Sequence, residues 1–203
     1  MRLIGGLDNP SENTLYYTPD ARWNNYDKLM TGITIYNKSI IPRTFEYRIA
    51  PMYAWGSQNL SGSASAVWNL IPISGPWSKI QLGMYAKMNE YAPDLSFYRL
   101  SPTVNFWFRR TDLSQPVQQS IRLRMVQLHR ELGDFNFEQG NVQLDDNEYR
   151  IFEFRYRYEN GHGGQPHFAD VTLQHAQSFT RLSLNGVYRR HISPSRLMRL
   201  RAF

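Results

Sequence analysis

From residue 27 to the end of the chain, side-chain character alternates with a period of two, in runs long enough to decide what the backbone can be. Successive side chains of an extended strand point to opposite faces, whereas a helix repeats every 3.6 residues. Arg43 to Gly56 sets Phe45, Tyr47, Ile49, Pro51, Tyr53 and Trp55 against Thr44, Glu46, Arg48, Ala50, Met52 and Ala54. Asn59 to Leu70 opposes Leu60, Ala64, Ala66, Trp68 and Leu70 to Ser61, Ser63, Ser65 and Asn69. In Trp77 to Asn89, Ile80, Leu82, Met84, Ala86 and Met88 stand against Lys79, Gln81, Tyr85, Lys87 and Asn89. Tyr98 to Arg109 carries Tyr98, Leu100, Val104, Phe106 and Phe108 opposite Arg99, Ser101, Thr103, Asn105 and Arg109.

The rule continues in the second half. Gln119 to Gln127 opposes Ile121, Leu123 and Met125 to Arg122 and Arg124, and Glu148 to Glu159 opposes Phe152, Phe154, Tyr156 and Tyr158 to Glu153, Arg155, Arg157 and Glu159. His167 to Ala176 and Phe179 to Arg189 repeat it more weakly, the latter with Leu182, Leu184 and Tyr188 against Arg181, Ser183, Asn185 and Arg189. With residues 27–36 and 196–203 added, and Gly, Pro, Asn, Ser and Asp clusters between the segments, the expected fold is all-β. It is an antiparallel up-and-down meander of about ten strands.

Residues 1–26 hold Asn9-Pro10-Ser11 and Thr18-Pro19-Asp20 and are expected to be an irregular extension, leaving 27–203 as the β domain. The connections 131–146 and 160–166 are expected to be exposed loops. Pro51 and Pro102 sit inside two strand segments and predict bulges or strand ends there.

Alternation alone fits both a soluble sheet, apolar inside, and a membrane barrel, where the faces are reversed. Length separates them. Strands of soluble proteins run to about 5 or 6 residues, whereas a tilted strand crossing a bilayer needs about 9 to 11. Aromatic residues near the segment ends fit an interfacial girdle. The expectation is a transmembrane β-barrel or part of a larger one. Its lipid face would carry Phe45, Tyr47, Tyr53, Trp55, Trp68, Phe106, Phe108, Phe152, Phe154, Tyr156 and Tyr158. Its lumen would carry Glu46, Arg48, Lys79, Lys87, Arg99, Arg109, Arg122, Arg124, Glu153, Arg155, Arg157, Arg181 and Arg189, with Arg48, Arg122, Arg124, Arg155 and Arg157 either pairing with Glu46 and Glu153 across the interior or giving it a basic field that favours anions if the lumen is open. The competing reading is a soluble β-sandwich or ligand-binding barrel with the aromatic face as its core.

Composition removes other classes. There is no cysteine, which excludes disulfides, a thiolate nucleophile and cysteine-ligated metals. The net charge of +6 is spread along the chain with no run of five like charges, and arginines alternate away from rings instead of sharing a face with them. Nucleic acid is therefore not an expected partner. No apolar run approaches the ~18 to 20 residues of a spanning helix. Met1 to Pro10 lacks an apolar stretch of secretory-signal length, so the expectation is either a cytoplasmic protein or a fragment without its beginning.

The run Trp23-Asn24-Asn25-Tyr26-Asp27-Lys28-Leu29-Met30-Thr31-Gly32, then Ile35-Tyr36-Asn37, Phe45-Glu46-Tyr47, Ala50-Pro51-Met52-Tyr53 and Gly56, resembles the β-barrel region that follows the catalytic domain in aminopeptidase-type (gluzincin) zinc metalloproteases of the Bacteroidota. The match is good over roughly residues 22–70 and one of pattern beyond. The resemblance implies an outer-membrane barrel of a Gram-negative bacterium, in contact with outer-membrane lipid and linked to a peptidase domain or subunit. It implies anchoring or passage as the role and a chain that is a fragment without its peptidase part.

No catalytic or cofactor site is expected. The five histidines, His129, His162, His167, His175 and His191, form no HExxH pattern. His162 and His167 flank a Gly-rich turn but have no third ligand, so no metal is expected. Gly161, Gly163 and Gly164 lack the strand-to-helix setting and following Lys of a phosphate loop. His191 and Ser193 share one strand face by their spacing and form the motif of a further alternative, a barrel lipid A deacylase or phospholipase, although Pro194 follows at once. Phe203 ends the last segment with an aromatic, as many outer-membrane proteins do.

Overall fold

The computed structural model describes residues 14–38, 43–92, 95–110, 112, 114, 116–130, 135–137, 140–142, 147–161, 167–193 and 196–202. Among them every regular element is a strand: β1 (Tyr16–Asn24), β2 (Lys28–Tyr36), β3 (Phe45–Ala54), β4 (Asn59–Leu70), β5 (Trp77–Ala92), β6 (Leu95–Phe108), β7 (Val117–Arg130), β8 (Phe135–Phe137), β9 (Gly140–Val142), β10 (Asn147–Asn160), β11 (His167–Ala176), β12 (Thr180–Ser193) and β13 (Arg196–Ala202). One sheet takes eleven of these in the order β1-β2-β3-β4-β5-β6-β7-β10-β11-β12-β13, while β8 and β9 pair only with each other. The fold is an all-β antiparallel meander whose sheet is not closed, with β1 and β13 at its edges.

Three expectations are corrected. Residues Tyr16–Asn24, assigned to the irregular extension, form β1, in unbroken register with β2 from Tyr16↔Tyr36 to Asn24↔Lys28. Pro19 is tolerated because an edge strand can turn a missing N–H away from its one neighbour. The connection 131–146, expected as loop, contains the Phe135–Phe137 and Gly140–Val142 ladder. Pro51 makes neither a bulge nor an end, since β3 keeps one register with β4 from Phe45↔Trp68 to Ala54↔Asn59, although the pairing with β2 is interrupted beside it, between Gly32↔Met52 and Ile35↔Ile49. Glycines on both neighbouring strands make room for it. A Cβ on Gly32 would sit 2.1 Å from the Pro51 carbonyl oxygen, and one on Gly62, whose φ is +155°, would sit 2.4 Å from that of Ala50. Pro102 likewise lies within β6.

The chain divides into two compact units. The first comprises Met1–Asn69, Gly83–Pro102 and Val126–Arg150. Its β1–β2 turn is built by side chains. Asn24 Oδ1 accepts from the Tyr26 and Asp27 N–H groups, both at 2.7 Å, and the Asp27 carboxylate accepts from Asn24 Nδ2 at 2.6 Å and Ser57 Oγ at 2.9 Å. Gly56 N–H donates to the Asp27 carbonyl at 2.9 Å, so the β3–β4 turn rests on the β1–β2 turn and Asp27 is buried. Lys28 takes a left-handed φ of 55° to close that turn.

The second unit comprises Leu70–Leu82, Thr103–Met125 and Ile151–Phe203. Its best-defined ladder joins β10, β11 and β12, with Ile151↔Ala176 to Asn160↔His167 and then Phe168↔Val187 to His175↔Thr180 in continuous register.

Which face each unit buries follows from register. In the first unit Thr34, Ala50, Met52, Ala54, Ser61 and Asn69 are buried, and pairing puts all of them on the face that carries Glu46 and Arg48. In the second, Glu153, Asp170, Ala176 and Val187 are buried on the face that carries Arg155. The opposite faces leave Phe45, Ile49, Tyr53, Trp68, Phe152, Phe154, Leu173, Leu182 and Leu184 exposed. Burial is thus inverted relative to a soluble sheet, where large apolar side chains are covered and charges are wet.

Candidate functional site

In each unit, charged side chains converge on the polar face. In the second unit it is a cross-strand relay of alternating donors and acceptors. Asn105 on β6 donates to Gln81 Oε1 on β5 at 3.3 Å and accepts from Arg122 Nε on β7 at 2.9 Å. Arg124, two residues on and so on the same face, donates to Glu153 Oε2 on β10 at 2.8 Å, which also accepts from Gln174 Nε2 on β11 at 2.9 Å. Arg155 donates its Nε to Asp170 Oδ2 at 2.6 Å, with a second contact from its Nη2, and Thr172 Oγ1 donates to Asp170 Oδ1 at 3.2 Å. Glu153 and Asp170 are 8% and 6% exposed at their side chains, so each buried carboxylate has an arginine and a neutral donor to offset its desolvation.

The first unit has its own set. Asp20 Oδ2 accepts from Arg22 at 2.7 Å and Thr34 Oγ1 at 3.1 Å, with Arg48 Nη2 at 4.0 Å. Glu46 accepts from the Arg43 backbone N–H at 3.1 Å. Glu90 is buried and accepts from Asn59 Nδ2, and Ser61 Oγ donates to the Met88 carbonyl at 3.0 Å. Arg99 donates to Ser101 Oγ at 3.2 Å and lies over the Tyr85 ring at 5.8 Å.

The expected charged set is therefore brought together in part, with several partners changed. Arg124 meets Glu153 as expected. Arg48, however, has Asp20 as its nearest carboxylate, Arg122 meets an amide, Arg155 meets Asp170, and Arg157 meets Glu159 at 3.0 Å on its own strand. Lys79 lies over the Trp107 ring at 5.3 Å, Lys87 and Arg189 are half-buried, and Arg181 is exposed and donates to Ser183 Oγ at 3.1 Å. Arg109 is corrected. It lies one residue past β6 and donates to the carbonyls of Pro72, Gly75 and Trp77 at 2.5, 3.0 and 3.0 Å, so its guanidinium ties down the β4–β5 connection.

Sequence reasoning passed over Asp20, Asp27, Glu90 and Asp170. For Asp170 the signal was present: it alternates with Thr172 and Gln174 opposite Leu173. Asp20 lay in a segment discounted for its proline.

On the apolar face, Phe45 and Tyr47 rings lie 6.1 Å apart, Tyr53 meets Trp55 edge-on at 5.2 Å, and Trp55 Nε1 donates to Thr31 Oγ1 at 2.9 Å. Phe106 and Phe108 are half-buried against Trp77 at 5.1 and 4.7 Å. Tyr156 Oη donates to Gln119 Oε1 at 2.8 Å, and Tyr158 stacks on His167 at 5.9 Å. Trp68, Phe152 and Phe154 remain exposed.

The described residues hold no group of three His, Asp or Glu side chains able to share a metal ion. His167 packs between Tyr158 and Tyr188, whereas His162, Gly163, Gly164 and Phe203 lie outside the described residues. His191 and Ser193 fall at the end of β12, where the pairing with β13 shifts register between them. No described helix is long and apolar enough to cross a membrane, which says nothing of strands.

No known family model, curated protein or solved structure matches the chain.

Proposed function

We propose that the chain is an outer-membrane β-barrel domain that serves as membrane anchor or passage, joined in its parent protein to a metallopeptidase part. The observation that supports this reading is the inverted burial. Phe154 is 40% exposed while its strand neighbour Glu153 is 8% exposed and held by Arg124 and Gln174. In water this arrangement leaves apolar area wet and buries charge. Against lipid the same rings lower the free energy by about 25 cal/mol per Å² removed from water, and the buried relay faces a polar bore. Strand length agrees: β6, β7, β10 and β12 each have 14 residues, beyond the about 9 to 11 that a crossing requires.

Eleven antiparallel strands are an odd number, so β1 and β13 run in the same sense along the sheet. Hydrocarbon tolerates no unpaired backbone edge, each unsatisfied group costing several kcal/mol. In the bilayer β1 and β13 must therefore pair, either in parallel with one another or with strands of the parent protein. The link to a peptidase, and to the Bacteroidota, rests on the resemblance of residues 22–70 alone.

The test is partition. The expressed chain is expected in the membrane fraction, to need detergent for extraction, and to migrate differently on gels before and after boiling. A monomer soluble without detergent would end this reading in favour of a soluble ligand-binding barrel.

A further inference from the structure

We propose that the polar face of the last hairpin, β12 and β13, binds a phosphate group between Arg189 and Arg199. Basic residues occur along the whole chain, but their excess over acidic ones does not. Residues 171–203 hold Arg181, Arg189, Arg190, Arg196, Arg199 and Arg201 and no Asp or Glu. Those arginines account for the chain's entire net charge of +6, and everything before them is balanced, with 17 basic residues against 17 acidic ones.

Register gathers part of this charge on one face. Arg189 stands directly opposite Arg199, and Arg201 opposite the buried Val187, which places all three on the face that carries Arg155 and Asp170. The carboxylates of that face are already committed, Glu153 to Arg124, Asp170 to Arg155 and Glu159 to Arg157. Arg181, Arg189, Arg199 and Arg201 are therefore side-chain charges in excess of every carboxylate among the described residues of that face in the second unit. Arg189 is half-buried and Arg199 exposed, and among the described residues neither makes an ion pair or a hydrogen bond. Side chains directly opposite one another on antiparallel strands have Cβ atoms about 4.5–5.5 Å apart, and like charges there repel. An anion held between the two guanidinium groups replaces that repulsion with attraction to both.

The donors select the anion. Each guanidinium presents a planar fork that suits two acceptor oxygens. A carboxylate has one pair of oxygens and satisfies one fork. The tetrahedral oxygens of a phosphate group accept from both forks, and its double charge answers two cations.

The inference goes beyond the barrel reading and rests on register within one unit, not on lipid. The experiment is calorimetric titration of the full chain, folded in detergent or, where partition finds it soluble, in buffer, with inorganic phosphate, glycerol 3-phosphate and acetate. Both phosphates are expected to bind at millimolar concentration and acetate not, with affinity falling as salt is raised. A tighter ester than inorganic phosphate supports a phosphate carried on a larger molecule, and equal affinities support free phosphate. Arg189→Gln and Arg199→Gln should each weaken binding by about tenfold or more, a loss of about 1.4 kcal/mol. Arg181→Gln, near the start of β12 and more than a screening length of about 10 Å away, should leave it unchanged. No heat with either phosphate, acetate bound as tightly as phosphate, or full affinity in both the Arg189→Gln and Arg199→Gln proteins would overturn the proposal. Unchanged gel migration of the folded form in both variants separates lost binding from lost folding.

Discussion

Arg124 on β7 and Glu153 on β10 are held with Nη2 2.8 Å from Oε2, and the carboxylate of that pair is the more deeply buried partner, with Gln174 Nε2 at 2.9 Å on the same oxygen. The asymmetry matters for what each truncation does. Arg124→Met leaves a buried charge with one amide donor, whereas Glu153→Gln leaves a cation that is 32% exposed and can reach water. We expect Arg124→Met to destabilise by about 1–3 kcal/mol, discounted from the larger values of fully buried pairs because Arg124 is partly wet. Glu153→Gln should cost less, and the double variant should be more stable than the sum of the two losses. Urea unfolding of the lipid-reconstituted protein measures all four corners of that cycle. Strict additivity would show that the pair is not coupled.

The glycines beside Pro51 give a second prediction. Gly32→Ala places a methyl group 2.1 Å from the Pro51 carbonyl oxygen, and Gly62→Ala places one 2.4 Å from that of Ala50. In each case backbone must move, and the cost should reach or exceed the about 1–3 kcal/mol usual for overpacking. Gly186→Ala meets only the Phe168 oxygen at 3.4 Å and should stay within about 0.5 kcal/mol. Equal stability of all three variants would mean that β2 and β4 do not approach β3 as closely as the ladder requires.

Asp27 is expected to govern how the first two hairpins form. Its carboxylate accepts from Asn24 and Ser57 and its carbonyl from Gly56. Asp27→Ala leaves those donors without acceptors, at about 1–3 kcal/mol, whereas Asp27→Asn keeps one oxygen and should lose less. Refolding yield into detergent, read from the heat-sensitive gel band, gives the ordering: native, then Asn, then Ala.

The two faces should respond oppositely to charge. Leu182→Arg introduces a cation on the exposed apolar face and, if that face meets the bilayer interior, should destabilise by about 2–4 kcal/mol at the midplane and less near an interface. Arg181→Leu, one residue away on the opposite face, should cost little, because Arg181 is exposed and donates only to Ser183. Equal effects in lipid would remove the distinction between the faces.

The strand pattern was legible because each ring-bearing segment also carried its charges at the intervening positions, as in Phe152 to Tyr158, and register then forces both faces. β1 was not legible because Pro19 interrupts it, and the edge position that tolerates a proline is a property of the whole sheet. Pro51 misled for a related reason: the room it needs comes from Gly32 and Gly62, which lie on other strands. The polar face could be named but not wired. Glu46 and Glu153 were expected to serve Arg48 and the other arginines together, yet Glu46 stands on Arg48's own strand. The acceptor that the arginine approaches, Asp20, lies on β1, two strands away.

The orientation of the rings is tested most directly by quenching of tryptophan fluorescence with lipids brominated along their acyl chains. Trp68 lies on the exposed apolar face and Trp107 lies under Lys79 on the polar one. In reconstituted proteins that keep one of these two tryptophans and carry phenylalanine at the other four positions, Trp68 should be quenched strongly and Trp107 weakly. Strong quenching of Trp107 with Trp68 unaffected would contradict the account.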